Sequence, residues 1–282
     1  YKPFGPPTSI AFNNGLFTTR FYDTAYRVTQ AGLTDNVPAM VDYHLYTLDP
    51  AGNIEQDTDL VNAANSRDYE YDVLDRLTDD TSIDTSPSLD TYVYDGNGNR
   101  LQRNSTHTDF PAQSMVYDTG NSQPNRIATF NGQSVSYDGA GNMLLNGRGD
   151  SFAYNAGNRL ESIASNGDTL TALYNGVGEL ARTNTIPDCP CGGCATWKDY
   201  YHFATDGRAL GMVQQAFDGW TGNPSSRIER DWVWLDNIPV AQLEESYDSN
   251  GVHVAPTVTY LHADQLGTTR VGTDPPGTPT WS

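Results

Sequence analysis

Tyr92-Val93-Tyr94-Asp95-Gly96-Asn97-Gly98-Asn99-Arg100-Leu101 is the stretch that decides the fold of this 282-residue chain. Tyr92 and Tyr94 alternate with Val93, as a strand whose side chains point to opposite faces requires. Asp95 ends the run, and its carboxylate is suited to bond the amides of a following turn. Gly96, Asn97 and Gly98 are expected to supply the positive-φ positions of a tight hairpin. Arg100 and Leu101 then begin a return strand, so the stretch reads as one hairpin.

Working outward, the same unit recurs. Tyr69-Glu70-Tyr71-Asp72 is followed by Arg76-Leu77, Phe21-Tyr22-Asp23 by Arg27-Val28, and Tyr46-Thr47-Leu48-Asp49 by Asn53-Ile54. Tyr117-Asp118 leads to Arg126-Ile127, Tyr137-Asp138 to Gly141-Asn142-Met143, Phe152-Ala153-Tyr154-Asn155 to Asn158-Arg159-Leu160, and Tyr174-Asn175 to Glu179-Leu180. Asp49, Asp72, Asp95 and Asp118 follow one another at 23-residue intervals. A lone hairpin is marginal in water, so successive units must lie edge to edge and shield their Tyr and Leu rows together. The expectation is an all-β hairpin array, a quasi-one-dimensional sheet that curls as twisted strands accumulate, with almost no helix.

Composition agrees. Tyr (17) and Gly (26) are plentiful, which favours strands and turns over helices. With 35 acidic residues against 16 Lys plus Arg, the net charge of -19 argues against nucleic acid or anionic membrane as partners. No apolar run has the length of a bilayer span, so no membrane insertion is expected. The chain opens on Tyr1 and reads as a piece of something longer.

The repeats are regular over 1–180 and loosen over 181–259, and the whole is read as one repeat domain, 1–282. Thr183 to Thr196 and Phe217 to Arg227 read as loops inserted at hairpin tips. The Trp232-Val233-Trp234-Leu235 strand is apolar on both faces and is expected to be covered on both. The tail Asp274-Pro275-Pro276-Gly277 is unsuited to a central strand. Cys189, Cys191 and Cys194 fall together. A local disulfide joining Cys189 or Cys191 to Cys194 is preferred over zinc, because a closed zinc site needs a fourth ligand and the nearest histidine, His202, lies eight positions beyond Cys194.

These units resemble the rearrangement hotspot (Rhs) and tyrosine-aspartate (YD) repeat family, along nearly the whole chain. The signature positions are Tyr22, Asp23, Tyr71, Asp72, Arg76, Tyr94, Asp95, Gly98, Asn99, Arg100, Tyr137, Asp138, Gly141, Asn142, Tyr154, Asn158 and Arg159. Tyr260-Leu261-His262-Ala263-Asp264-Gln265-Leu266-Gly267-Thr268-Thr269-Arg270 is similar to the start of the family's Rhs-associated core, and 260–282 is read as that core cut short. The resemblance implies a sheet spiralling into a hollow, β-solenoid-like shell, secreted or displayed at the cell surface, that encloses other polypeptide such as a C-terminal toxin domain. The core's continuation, which in many members carries aspartates for self-cleavage, has no counterpart after Arg270.

Other chemistry is weak. Asp118-Thr119-Gly120 has the triplet of an aspartic-protease dyad but lacks a second copy and falls in step with the repeat. Asp95 to Asn99 imitates the start of a calcium loop, yet Arg100 and Thr106 stand where Gly and Glu are required. His44, His107, His202, His253 and His262 are dispersed, and His262 reads as structural. The expected role is a non-catalytic shell or filament segment without cofactor. Its partners are the rest of the parent polypeptide or an enclosed toxin, with self-association through open strand edges. The alternative is an adhesive or glycan-binding module in which Trp220 stacks on sugar.

Overall fold

The computed structural model describes residues 7–35, 39–83, 88–118, 120, 125–189, 192–264 and 267–281. Among these, 24 strands are joined by turns, and helix is confined to one 3-10 turn, Ala63–Asn65. The first ten strands are β1 Ser9–Ala11, β2 Phe17–Tyr22, β3 Val28–Thr34, β4 Met40–Leu48, β5 Ile54–Asp59, β6 Arg67–Tyr71, β7 Leu77–Ser82, β8 Leu89–Tyr94, β9 Arg100–Ser105 and β10 Gln113–Tyr117. Then come β11 Ile127–Phe130, β12 Gln133–Tyr137, β13 Met143–Asn146, β14 Ser151–Tyr154, β15 Leu160–Ser165, β16 Asp168–Tyr174 and β17 Leu180–Ile186. The last seven are β18 Gly193–Phe203, β19 Ala209–Gly219, β20 Pro224–Leu235, β21 Ile238–Tyr247, β22 His253–Ala263, β23 Thr269–Thr273 and β24 Pro279–Trp281.

Pairing follows chain order and is antiparallel throughout. Each strand from β1 to β10 pairs with the next. The same holds from β11 to β21 and from β22 to β24. The expected all-β hairpin array is therefore the observed architecture.

The turn differs in detail from the expected tight hairpin. In the unit quoted first, Tyr94 pairs with Arg100 after a register shift, leaving Asp95 to Asn99 as the loop. Gly98 N donates to Asp95 O (3.1 Å), and Asp95 N donates to Asn99 O (2.9 Å). Of Gly96, Asn97 and Gly98 only Gly98 is left-handed, with φ 88°. This is a type I turn closed by a left-handed residue and a bulge, so one residue per loop carries the conformational demand. The same two backbone bonds recur around Asp49, Asp72, Asp138, Asn155, Asn175, Asp248, Asp264 and Asp274. The Asp274-Pro275-Pro276-Gly277 tail is thus the last of these turns.

The chain divides into two compact units, residues 1–127 with 260–282, and residues 128–259. The first has a buried apolar cluster of Leu16, Leu33 and Val271, with Val41 packed against it. Among the described residues of the second, the buried apolar side chains are Ala172, Ala216 and Pro239. Two sequence expectations in that unit need correction. Thr183–Ile186 and Gly193–Thr196 belong to β17 and β18, and Phe217–Gly219 and Pro224–Arg227 to β19 and β20, because antiparallel pairing persists there. The Trp232 strand is not covered on both faces: Trp232 and Trp234 are half-buried, whereas Val233 and Leu235 are each 43% exposed.

Candidate functional site: the repeat lock and the terminal hairpin

Three side chains per unit build the turn and join it to its neighbours. The first is the turn aspartate. Asp95 Oδ1 accepts from the amides of Asn97 (2.9 Å) and Asn99 (2.8 Å), and Oδ2 accepts from Asn99 Nδ2 (2.8 Å). Asp72 does the same with Leu74, Arg76 and the Arg76 guanidinium, and Asp138 with Ala140 and Asn142. These bonds favour the ionised form: Asp72 is held below the usual carboxylate range chiefly by the Arg76 side chain, and Asp95 and Asp138 by the Asn99 and Asn142 amides. Asp23 is lowered mainly by the Arg27 backbone amide.

The second is the tyrosine before that aspartate, whose hydroxyl reaches back to the preceding hairpin. Tyr71 donates to Ile54 O (2.9 Å), Tyr94 to Leu77 O (2.8 Å) and Tyr117 to Arg100 O (3.2 Å), each across 17 residues. Tyr174 makes the same bond to Leu160 O (2.9 Å), and Tyr22 donates to Pro7 O (3.0 Å). Each hairpin acceptor is the residue that opens the previous return strand. At Trp234 an indole N–H takes over the task, donating to Ala209 O at 2.9 Å.

The third is the residue four after the aspartate, which reaches forward. Arg27 Nη1 donates to Asp49 O (3.0 Å) and Arg76 Nη1 to Asp95 O (3.2 Å). Arg76, Arg159 and Arg208 stack on Tyr94, Tyr174 and Trp234, the aromatic residues of the next unit, at 4.8–5.7 Å. Where asparagine replaces arginine, amides join the turn tips: Asn99 Nδ2 donates to Asn125 Oδ1 (2.7 Å) and Asn142 Nδ2 to Asn158 Oδ1 (3.2 Å). Arg100 instead reaches Gln113 Oε1 at 3.1 Å. Tyr137 and Tyr154 occupy the lock's aromatic position, paired with Met143 and Leu160. Gly141 and Asn158 are the left-handed residues of their turns.

The tyrosine-bearing face is polar as well as aromatic. Tyr69 pairs with Asp80, and Asp80 with Asp90. Arg67 lies 3.1 Å from Asp80, and Arg103 lies 2.5 Å from Asp90. Half-buried Tyr69 is pushed up to about 12, first by desolvation and then by Asp80 and Asp57.

The 260–270 motif forms a hairpin seated on the first strands of its own unit. Arg20 Nη2 donates to the carbonyls of Ala263 (2.8 Å) and Asp264 (2.7 Å). His262 is buried, its Nε2 lies 2.8 Å from Thr273 Oγ1, and its ring meets Phe12 edge-on at 4.4 Å. Tyr260 also packs edge-on against Phe12. Asn14 Nδ2 donates to Thr273 Oγ1 at 2.9 Å. Asp264 and Gly267 build the turn, the carboxylate accepting from Thr268 N and Gly267 being left-handed at φ 83°. Arg270 reaches His44 Nε2 at 2.8 Å and Asp42 at 3.5 Å.

His44 is the centre of that contact. Its Nδ1 lies 2.6 Å from Asp57 and its Nε2 3.2 Å from Asp42, with Asp59 at 3.9 Å. Burial opposes its charge, but the Asp42 and Asp57 carboxylates outweigh burial and raise it to about 9, against a smaller opposing effect of Arg270. Arg20 and Thr273 had not been singled out in the sequence, and His44 was noted there only as one of five dispersed histidines. Their one signal was strand alternation, which puts Arg20 on the same face as Leu16 and Thr18, an unusual place for a charge.

Cys189 and Cys194 form a disulfide, with Cα atoms 5.9 Å apart, and Cys191 lies outside the described residues. Trp220 is 77% exposed, and its ring lies over Gly193 so closely that a Cβ there would have no room. Among the described residues no group of three His, Cys, Asp or Glu is placed to hold a metal ion. Asp118 serves as a turn residue, accepting from Gly120 N at 2.7 Å. Among the described residues no helix is long and apolar enough to cross a membrane.

No curated protein matches the chain. Solved structures do: a Photorhabdus luminescens Tc holotoxin pore carrying a TccC3 mutation matches at 14% identity and TM-score 0.74, covering 96% of this chain and 14% of that one. A TcdB2-TccC3-Cdc42 crystal structure gives 14% identity and TM-score 0.75 over 96% and 14%. A TcdB2-TccC3 crystal structure gives 13% and 0.75 over 96% and 15%. The chain thus spans about one seventh of the length of the chains it matches, and at such identities the likeness is one of fold. The model of the Teneurin YD-shell family matches residues 6–182, more than half of the chain, and the protein belongs to that family.

Proposed function

We propose that the chain is a non-catalytic wall segment of a larger secreted or cell-surface protein, one continuous repeat domain whose sheet encloses or displays other polypeptide, such as a C-terminal toxin. The observation that carries this reading is the lock itself. The tyrosine hydroxyls and the forward-reaching arginines run from one hairpin to the next, so the sheet extends by addition of units. Ion pairs such as Arg67–Asp80 and Arg103–Asp90 on the tyrosine face suit a wall that borders a wet, polypeptide-filled space. Shell membership and the Tc-type neighbours support a structural role. The test is protease protection of polypeptide fused beyond this segment in its parent protein. Resistance that vanishes when the wall is unfolded is expected; digestion at the rate of the free polypeptide would refute enclosure.

One observation favours a second reading. Trp220, exposed and fixed against Gly193, is a preformed apolar platform of the kind that stacks on a sugar ring. Glycan-array binding abolished by Trp220→Ala would establish it, and a blank array would remove it.

A further inference from the structure

We infer that His262 is an acid-sensitive latch: proton uptake by its ring loosens the β22–β23 hairpin from β2–β4 while the repeat hairpins stay paired. His262 is 3% exposed. One ring nitrogen, Nε2, is engaged by Thr273 Oγ1, a fully buried atom that also accepts from Asn14 Nδ2. The other, Nδ1, is buried with no hydrogen-bond partner. A neutral ring tolerates this, since an unused lone pair is a modest loss, whereas an imidazolium would present a buried N–H donor with no acceptor.

The surroundings offer that charge little relief. The ring's edge contact is to Phe12, and a cavity of about 20 Å³ beside it is walled by Arg20 of β2, Asp42, His44 and Tyr46 of β4, Asp264 at the β22–β23 turn, and Arg270 of β23. Arg20 and Arg270 are permanent cations. His44 lies between the Asp42 and Asp57 carboxylates, which favour its charged form. The two carboxylates are occupied, Asp42 by His44 and Arg270, and Asp264 by Thr268 N. Burial accordingly depresses His262 from 6.5 to about 4, with a smaller opposing pull from Asp42. A depressed histidine stabilises the closed state above its unfolded value, and that contribution declines as pH falls towards the folded value.

The experiment is segment-resolved hydrogen exchange on the whole chain, corrected for the intrinsic pH dependence of exchange. Protection of amides 260–273 is expected to fall about tenfold per pH unit between 6.5 and about 4, reversibly, while β14–β17 keep theirs. His262→Gln, neutral at every pH, should hold protection flat over that window. An equal acid loss in His262→Gln, or no loss in the parent, overturns the latch. If the variant does not fold, the His262 ring resonance of the parent decides. Its titration must coincide with loosening of 260–273, and simultaneous loss across β14–β17 overturns the proposal just as firmly.

Discussion

Residues 1–127 with 260–282 and residues 128–259 are made of the same hairpin, yet they are held differently. The first unit has a closed apolar cluster, Leu16, Leu33 and Val271, and a hairpin that joins residues as far apart as Asn14 and Thr273. The second relies on what each hairpin gives the next: the strand ladder, the Tyr174 hydroxyl, the Arg159 and Arg208 guanidinium groups and the Trp234 indole. The contrast separates two sources of order. Long-range burial makes one unit cooperative, whereas nearest-neighbour bonds leave the other close to a sum of its parts.

The largest test of this contrast is a pair of leucine truncations. Leu33→Ala, at 1% exposure, is expected to cost about 2–5 kcal/mol in chemical denaturation of the first unit. Leu173→Ala, at 51% exposure, should change the second by no more than about 0.5 kcal/mol. Equal losses would erase the distinction. Next comes pH. His44, raised from 6.5 to about 9, contributes stability that is full below 6.5 and lost as pH climbs through about 9. The first unit should weaken by up to about 3 kcal/mol between those values, an effect absent in His44→Gln and absent from the second unit.

A smaller effect belongs to the turns. Gly178 is left-handed at φ 92° and abuts the Arg159 guanidinium, whereas Gly176 faces open space. Gly178→Ala is expected to cost about 1–2 kcal/mol and Gly176→Ala well under that, read by thermal unfolding. Smallest are the hydroxyl deletions. Tyr94→Phe and Tyr174→Phe should each cost about 1 kcal/mol, and because both bonds are local the two units should lose the same amount. A much larger loss in one would show that its hairpins are coupled beyond their neighbours.

The sequence made the hairpins legible because three constraints coincide at each: strand alternation, an aspartate that terminates it, and a residue able to turn left-handed. Asp95 and Gly98 are found by inspection for that reason. The tyrosine bond to the previous return strand was hidden. Packing alone would accept phenylalanine, and nothing within one unit names the acceptor. The same holds for Trp234, which does the work of tyrosine with a different donor. Most hidden was the seat of the terminal hairpin. Its motif, His262 to Arg270, stands out in the sequence, but Arg20 and His44 lie more than 200 positions away and carry no local pattern. Overestimated loop lengths around Thr183–Thr196 and Phe217–Arg227 have a simple cause: Gly, Ser and Pro mark turns, but an established ladder on both sides carries strands through them.

The direction of the tyrosine bond matters for synthesis. Each hydroxyl looks back to a carbonyl already made, so a hairpin leaving the ribosome finds its dock waiting and can be added without later residues. The β22–β23 hairpin is the opposite case, since its seat is built first and stands empty until more than 200 residues have followed. Hairpins of a nascent chain therefore dock in the order of their synthesis, and the seat is filled only near Arg270. Pulse proteolysis of ribosome-stalled chains should show protected hairpins accumulating one by one, with the seat's own protection rising only after that residue has emerged.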